Sequence, residues 1–313
     1  MNAPGFLPKT RAVFYGDPEV GGFIDWLCGF AETLVVDFSI RSSKRVPGGV
    51  SASVVGLNGV LSEYKWVAQW TSSGNVISSS CWNSTVSSLG QLSGTLRSAL
   101  NTPSDDAAFD ACCSIFEWGG ERNKQVGARP FLESKVSAQN GLCDYLNQVR
   151  GAVSLAAADV SDLRAVQEMN SMLTKVHALA SVDGLPIYDS RVAAAIACLV
   201  EIYRHNSRLP WTVVPELLAF PAIPEDAKHD RRHVGALRKD RSLIPSPGFI
   251  RYQDPQRAAR WMSASIRLGW LIEEVLSRKP NILKQQVSRM HAFEACLFMM
   301  GYDVKCLQRN LKP

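Results

Sequence analysis

The sequence lacks a long apolar run, and this absence argues against a membrane-spanning helix. The longest uninterrupted apolar stretch is Val192 to Val200, far too short to cross a bilayer. The amino-terminal stretch MNAPGFLPKTRAVFYGD lacks the apolar segment of a secretory signal peptide. With 46% apolar and 20% charged residues, the composition is typical of a globular protein in water. We therefore expect a cytoplasmic protein with no membrane partner.

Several motifs that bind cofactors are missing as well. The eight Cys include no Cys-x-x-Cys pair, which argues against zinc ribbons and iron–sulfur loops and favours reduced, mostly buried thiols. Neither GxGxxG nor GxxxxGK[ST] occurs, so a nucleotide cofactor has no support. Ser–His–Asp hydrolysis stays open, although no GxSxG elbow supports it. His229 and His233 have the spacing of a metal-binding helix face, but no Glu lies between them and Pro residues flank the segment. We predict no cofactor and no metal.

What the chain does have is an uneven distribution of charge. The net charge is +5, yet residues 226–313 hold 17 Lys and Arg against 8 Asp and Glu. Such a basic region is typical of a protein that binds a polyanion, although a solvated basic surface has the same composition. The cations are densest in a long Pro-rich connection between Trp211 and Tyr252, where they are Arg231, Arg232, Arg238, Lys239 and Arg241.

Turn residues and apolar alternation indicate a mixed first part of the chain. Residues 63–82 read as two short strands around a Ser-Ser-Gly-Asn turn. Residues 22–38 are either a helix or a buried strand, because their periodicity fits both. A helix is expected after residue 104, with Thr102 or Ser104 as its cap and acidic residues in its first turn. Residues 119–130 are Gly-rich, basic and closed by Pro130, which indicates an exposed loop and a domain boundary.

Helical periodicity dominates the second part. Leu142, Tyr145, Leu146, Val149 and Val153 share one face. A second helix is expected in SDLRAVQEM, a central buried one in RVAAAIACLVEIYRH, an amphipathic one in DPQRAARWMSASIRLGWLIEEVLSRK, and a last one that stops at a Gly in SRMHAFEACLFMMGYDV. We predict a mainly α (α+β) fold, with a mixed α/β region over residues 1–125 and a helical domain over residues 126–313.

The stretch SMLTKVHALASVDGLPIYDSRVAAAI (171–196) holds the strongest candidate chemistry. Asn170 or Ser171 can cap a helix, which places Lys175 against the positive end of the helix dipole. If it is also buried, its pKa falls and its neutral amine becomes a usable nucleophile. A turn at Gly184 then leads to Asp189 at the start of the next helix. The alternative is that Lys175 is solvated surface and that Asp189 only caps its helix.

This stretch resembles the active-site core of the helix-hairpin-helix DNA glycosylases, in particular the 8-oxoguanine glycosylase branch. In that family a Thr-Lys-Val opens a helix, and a loop leads through a Pro to an Asp before the next helix. The matching residues here are Thr174-Lys175-Val176 and PIYDSRV. The resemblance implies that Lys175 attacks C1′ of a flipped nucleotide and that Asp189 assists loss of the base. It also implies a helical helix-hairpin-helix domain that binds double-stranded DNA as a monomer.

Two features depart from the family pattern. The family hairpin uses Gly residues whose backbone N–H groups hold a DNA phosphate, whereas the matching segment here, MNSML, has none. The interval from Lys175 to Asp189 is 14 residues, shorter than in the family. The alternatives are therefore a monofunctional glycosylase in which Asp189 activates water, a non-catalytic DNA-binding protein on the same scaffold, and a helical interaction protein without a DNA role.

The resemblance assigns roles to further residues. We expect DNA contacts from one set of side chains, which comprises Ser171, Thr174, Arg191, Arg231, Arg232, Arg238, Lys239 and Arg241. The alternative for Arg191 is an ion pair with Asp189. One of Trp261 and Trp270 is a candidate for stacking on the flipped base, although burial in the core is the default for both. The unusual hairpin and the long connection favour a bulky modified base, such as those of phage genomes, and hence a role in defence.

Overall fold

The computed structural model describes residues 10–72, 74–121, 123–221, 231–232, 234–237 and 256–312. Arg238, Lys239, Arg241, His229 and His233 lie outside them. In the described ranges the helices are α1 (Arg11–Gly16), α2 (Pro18–Phe30), α3 (Gly56–Ser62), α4 (Trp82–Asn101), α5 (Asp105–Gly119), α6 (Ala128–Val136), α7 (Gly141–Ala152), α8 (Leu173–Ala180), α9 (Ser190–Asn206), α10 (Arg257–Arg278) and α11 (Arg289–Met300).

Two small antiparallel sheets of two strands each complete the fold. One pairs β1 (Val35–Ile40) with β2 (Val50–Val55), and the other pairs β3 (Lys65–Ser72) with β4 (Asn75–Cys81). In the second hairpin Ser72 pairs with Asn75, and Gly74 has the positive φ that this tight turn requires. The predicted hairpin is confirmed, and so is the mainly α fold.

Two helices of the first part, α2 and α5, begin at residues whose side chains cap them. Asp17 Oδ1 accepts hydrogen bonds from Glu19 N and Val20 N, so α2 begins at Pro18. Residues 22–38 hold the end of α2 and the start of β1, which explains why periodicity fitted both readings. Ser104 caps α5, as predicted. Pro130 does not close the preceding loop, because it lies in the first turn of α6, where its missing N–H costs little.

The predicted helices of the second part form, with one exception. The apolar face of α7 is buried, α9 is buried along most of its length, and α10 and α11 occur where expected. Residues 161–169 instead form turns, so the helix predicted there is wrong. Asp159 Oδ1 accepts hydrogen bonds from the backbone N–H and hydroxyl of Ser161, which stabilises a local turn in place of a helix.

Gly301 ends α11, as predicted, but for a different reason than the usual left-handed cap. Its φ is −77°, and a Cβ at this position would lie 1.9 Å from the carbonyl oxygen of Arg191. The absence of a side chain therefore lets the end of α11 pack against the start of α9. This close approach fixes the position of the segment that carries Asp189 and Arg191.

One continuous hydrophobic core includes residues from both parts of the chain. Helix α11 packs against α3, α10 packs against α2, and α8 packs against α4 and α5. Near the carboxyl end, Asn310 accepts from Val35 N and donates to Val35 O, which fastens that end to β1.

Six of the eight Cys are buried, and all eight are free thiols, as predicted. None of the helices in the described ranges has the length and apolarity that a bilayer crossing demands. The boundary near residue 125 stays a prediction.

Candidate active site

A cavity of about 220 Å³ lies where the two parts of the chain meet. Its walls come from the start of β3, from α4 and from the end of α5 on one side, and from α8, the start of α9 and α11 on the other. Both Lys175 and Asp189 line it. The cavity is rich in aromatic side chains, which are Tyr64, Trp66, Trp82, Trp118 and Phe298.

Lys175 lies in the first turn of α8 and is only 7% exposed. Its Nζ donates to the carbonyl oxygen of Ser171 at 2.7 Å, and Asn170 Oδ1 accepts from Met172 N and Leu173 N at the helix start. Burial lowers the pKa of the Lys175 amine below its ordinary value of 10.5, and the charges of Asp189 and Glu294 oppose that effect only in part. Lys175 is therefore a buried amine beside a cavity and not a solvated surface residue.

Asp189 is the N-cap of α9, so the helix-capping role given as an alternative is confirmed. Its Oδ1 accepts from Arg191 N at 2.8 Å and from Val192 N at 3.2 Å. The second oxygen, Oδ2, lies 3.8 Å from Arg191 Nη1, and the residue lines the cavity. The cap uses one carboxylate oxygen and fixes the orientation of the other, so capping and chemistry are compatible at this position.

The extended segment between α8 and α9 is held by hydrogen bonds from three helices. Tyr188 N donates to Thr174 Oγ1 of α8 at 3.1 Å, and Tyr188 O accepts from Trp261 Nε1 of α10 at 2.7 Å. Pro186 O accepts from Ser265 Oγ, and Ile187 N donates to Glu294 Oε2 of α11. These bonds place Asp189 beside the first turn of α8, even though only 14 residues separate it from Lys175.

This arrangement corrects the DNA contact predicted for Thr174 and the base stacking predicted for Trp261 or Trp270. Thr174 is 2% exposed and its hydroxyl holds the Tyr188 backbone, so a contact of this side chain with DNA does not fit its burial. Trp261 and Trp270 are also wrong as base-stacking residues, because both are buried in the core and neither lines the cavity. Their indole N–H groups donate to the carbonyl oxygens of Tyr188 and Leu155.

Arg191 occupies the second position of α9 and is surrounded by aromatic rings. Its guanidinium carbon lies 4.3 Å from the ring centre of Tyr302, 5.0 Å from that of Phe298 and 5.6 Å from that of Trp66. The side chain is 19% exposed. It lines both the aromatic cavity and a second, basic pocket, to which Arg231 and Arg232 also contribute. Ser171, the remaining predicted contact, is exposed at the rim of the cavity.

Sequence reasoning missed two titratable residues of the cavity. His291 and Glu294 lie one turn apart on α11, with His291 Nδ1 3.2 Å from Glu294 Oε2. Along this apolar helix, positions 291, 294, 295 and 298 all line the cavity, which is the stripe expected of one helix face. The signal available in the sequence was therefore a His and a Glu on one face of an otherwise apolar helix.

Trp118 was missed as well. Its indole Nε1 is buried and has no acceptor in the described ranges of the chain. Because a buried N–H without an acceptor is costly, a ligand atom in the cavity would be favoured as its partner. Among the described residues, no group of three or more His, Cys, Asp or Glu side chains lies close enough to hold a metal ion.

Comparison of the chain with models of protein families, with curated proteins and with solved structures gave no match.

Proposed function

We propose that this protein is a DNA glycosylase that binds double-stranded DNA as a monomer, flips a damaged or modified base into the aromatic cavity and cleaves its N-glycosidic bond. The observation that carries the proposal is the placement of a buried amine, Lys175, and a fixed carboxylate, Asp189, in the wall of one cavity lined with aromatic rings. Flat apolar walls suit a flipped base, since enzymes of this class stack the extruded base between aromatic side chains.

The chemistry follows from the protonation state of Lys175. A neutral amine attacks C1′, the glycosidic bond breaks, and its electron pair leaves with the base. Asp189 stabilises the positive charge that develops on the sugar and accepts the proton released by the amine. The bond between C1′ and the ring oxygen O4′ then breaks, O4′ takes the proton back from Asp189, and a Schiff base forms between C1′ and Nζ of Lys175. His291, paired with Glu294, is placed to protonate the departing base.

We further propose that the second part of the chain is a helix-hairpin-helix glycosylase-like domain. The support is the resemblance of TKV and PIYDSRV to the family pattern, together with the observed helix at 173–180 and the buried segment that leads to Asp189. Departures from the family pattern include the missing hairpin glycines and the turns that replace a helix over residues 161–169. Asn170 Oδ1 accepts hydrogen bonds from Met172 N and Leu173 N at the start of α8.

We also propose that the base is a bulky modified one, as in phage genomes, which makes this a defence enzyme. A cleft of about 550 Å³ adjoins the cavity and shares Trp82 with it. Trp82 Nε1 donates to Gln286 Oε1 at 2.6 Å. Amide side chains bind hydroxyl groups well, because each one both donates and accepts. Those of the cleft are Asn58, Asn83, Asn281, Gln285 and Gln286.

The test is release of bases from a panel of DNAs, including unmodified duplexes, duplexes with oxidised bases and several modified phage DNAs. We expect abasic sites in at least one modified DNA. Lys175→Gln should lower the rate at least 100-fold, because it removes the nucleophile. Asp189→Asn should lower it by a similar factor while retaining the helix cap, since Asn is also a good N-cap.

The control is Arg164→Gln, which changes an exposed residue that does not line the cavity. Its rate should equal that of the wild type. Loss of activity in Asp189→Asn but not in Lys175→Gln would indicate the monofunctional mechanism, in which Asp189 activates water. Tight, salt-sensitive DNA binding without abasic sites in any DNA would favour the non-catalytic alternative.

A further inference from the structure

The basic pocket next to the aromatic cavity has no role in the chemistry described above. It has a volume of about 400 Å³ and lies between the loop that joins β1 to β2, the start of α9 and the segment that follows α11. Six cationic side chains line it, namely Arg41, Lys44, Arg45, Arg191, Arg231 and Arg232. The acidic residue in its wall is Asp303, whose Oδ2 lies 3.6 Å from Arg231 Nη1.

Two of these cations, Arg191 and Arg232, lie close together and are partly buried. Burial, followed by the positive charge of Arg191, lowers the pKa of the Arg232 guanidinium. Arg191 Nε is buried and has no hydrogen-bond partner in the described ranges of the chain. The same holds for Tyr302 Oη, which lines this pocket and lies near the positive charges of Arg191, Arg232 and Arg45 and the negative charge of Asp189. Packed like charges and buried polar atoms without partners favour a bound anion.

The loop that contributes three of the cations has a fixed conformation. Ser43 and Val46 exchange backbone hydrogen bonds of 3.0 and 3.1 Å, and Gly48 N donates to Ser42 Oγ. Gly49 has a φ of +69°, and a Cβ there would lie 2.3 Å from the carbonyl oxygen of Ile40. The cations are therefore presented by an ordered loop, which lowers the entropy cost of binding an anion.

The pocket and the cavity share a wall. Arg191 lines both, and the ring of Trp66, in the cavity wall, lies 5.6 Å from the guanidinium carbon of Arg191 and 5.1 Å from that of Arg45. An anion in the pocket would therefore lie next to whatever occupies the cavity. If a base occupies the cavity, the anionic groups of a DNA strand that lie next to it are the backbone phosphates of the same and the adjoining nucleotide.

We propose that the basic pocket holds the backbone phosphates beside the flipped nucleotide, and that loop residues 41–45 thereby replace the Gly-rich hairpin as the phosphate anchor. This inference rests on the proposed glycosylase function. It gives the first part of the chain a role in DNA binding, which the sequence did not suggest. It also accounts for the absence of Gly in MNSML, because the anchor has moved to another segment.

The test measures binding of a fluorescein-labelled duplex that contains one tetrahydrofuran abasic analogue. The variant is Arg41→Gln with Lys44→Gln, because both residues are exposed and their replacement leaves the core intact. We expect the Kd to rise roughly tenfold to hundredfold. The slope of log K against log salt should become less steep by about 2, one phosphate contact for each lost charge. The charge-matched control, Arg164→Gln with Arg278→Gln, removes two exposed cations that do not line this pocket and should leave both values unchanged.

A second measurement separates a defined phosphate site from general attraction. Phosphates around the abasic analogue are replaced one at a time by neutral methylphosphonate. In the wild type, one or two positions next to the analogue should weaken binding about tenfold, and the same positions should have no effect in the Arg41→Gln, Lys44→Gln variant. Equal sensitivity in both proteins, or no DNA binding by the wild type, would overturn the inference. Site-specific sensitivity without base release from any DNA would support the phosphate pocket and reject the glycosylase.

Discussion

Gly119 lacks a side chain at the place where Lys175 needs room. A Cβ at this position, at the end of α5, would lie 2.8 Å from Lys175 Cδ and 3.2 Å from Cε. The φ of Gly119 is not in the left-handed region, so its backbone tolerates other residues. What this glycine provides is space for the aliphatic part of Lys175. The position of the amine thus depends on a residue 56 positions earlier in the chain.

We predict that Gly119→Ala separates activity from stability. The added methyl group pushes Lys175 aside, and a displacement of about 1 Å at a reacting group costs on the order of 100-fold in rate. Stability should stay near that of the wild type, because the atoms that the methyl group would meet belong to Lys175 and Met172, whose unbranched side chains can move. Base release and urea unfolding measure the two effects.

The matched control is Gly90→Ala in α4, where a Cβ would meet nothing within 4 Å. It adds the same methyl group to a helix without a new contact and should leave the rate unchanged. Wild-type activity in Gly119→Ala would show that the position of Lys175 is not critical.

At the residue scale, the sequence predicted the candidate site residues within residues 171–191 but not those that reach the cavity from distant segments. Lys175 and Asp189 lie close in the chain, in a recognisable pattern, so local reasoning was enough to select them. Trp118 and Glu294 reach the cavity from distant segments, and nothing local distinguishes them from core residues. Trp261 was a poor choice for the same reason, because a Trp at helical spacing is most often core.

At the scale of elements, the segment from Leu185 to Tyr188 determines where Asp189 lies. Its backbone is bonded to Thr174, Trp261, Ser265 and Glu294, which belong to three different helices. Such a segment cannot shift without breaking several buried hydrogen bonds, each of which costs about 1–3 kcal/mol when one partner is left alone. The geometry of the site is therefore set by how the helices hold this segment.

We predict that Thr174→Val loosens this attachment. Val has nearly the same shape as Thr but no acceptor, so Tyr188 N–H is left buried and unpaired. The free energy of unfolding should fall by about 1–3 kcal/mol, and the rate of base release per folded molecule should fall as well. Thr174→Ser keeps the hydroxyl and should restore the rate, although it removes a methyl group. A Val variant that is destabilised but fully active would mean that the bond serves stability alone.

The sequence predicted the long helices well and one short segment poorly. In α9 and α10 the apolar pattern continues over 17 and 22 residues, so periodicity identified them correctly. Between residues 160 and 169, Val160, Leu163, Val166 and Met169 are buried at a spacing of three. Successive turns satisfy that spacing as well as a helix does. The carboxylate of Asp159 stabilises a turn by accepting a hydrogen bond from Ser161 N.

At the scale of the whole molecule, the cavity exists only because two parts of the chain share one core. Helix α11 brings His291 and Glu294 against the aromatic side chains of β3 and α4, and α8 brings Lys175 against α5. Periodicity describes each element alone and gives no information about this pairing. For this reason the sequence indicated a mixed first region without assigning it any part of the site.

The most direct test of the central claim is borohydride trapping on DNA that contains an abasic site. A Schiff base between Lys175 and C1′ would be reduced to a stable covalent adduct, and Lys175→Gln should form none. Because burial lowers the pKa of Lys175, the single-turnover rate should rise with pH and level off at a pH below 10.5. The neutral fraction of a solvated lysine would still be increasing at that pH. The folded protein also binds fewer protons than the unfolded chain in that window, so this residue makes stability increase with pH there.

If Lys175 is the nucleophile, a covalent adduct forms in the wild type and in Arg164→Gln but not in Lys175→Gln, and the rate reaches its plateau below pH 10.5. An adduct that persists in Lys175→Gln would contradict it, because another amine would then be the nucleophile. The absence of both an adduct and base release on every DNA tested would mean that Lys175 and Asp189 have only structural roles at the starts of α8 and α9.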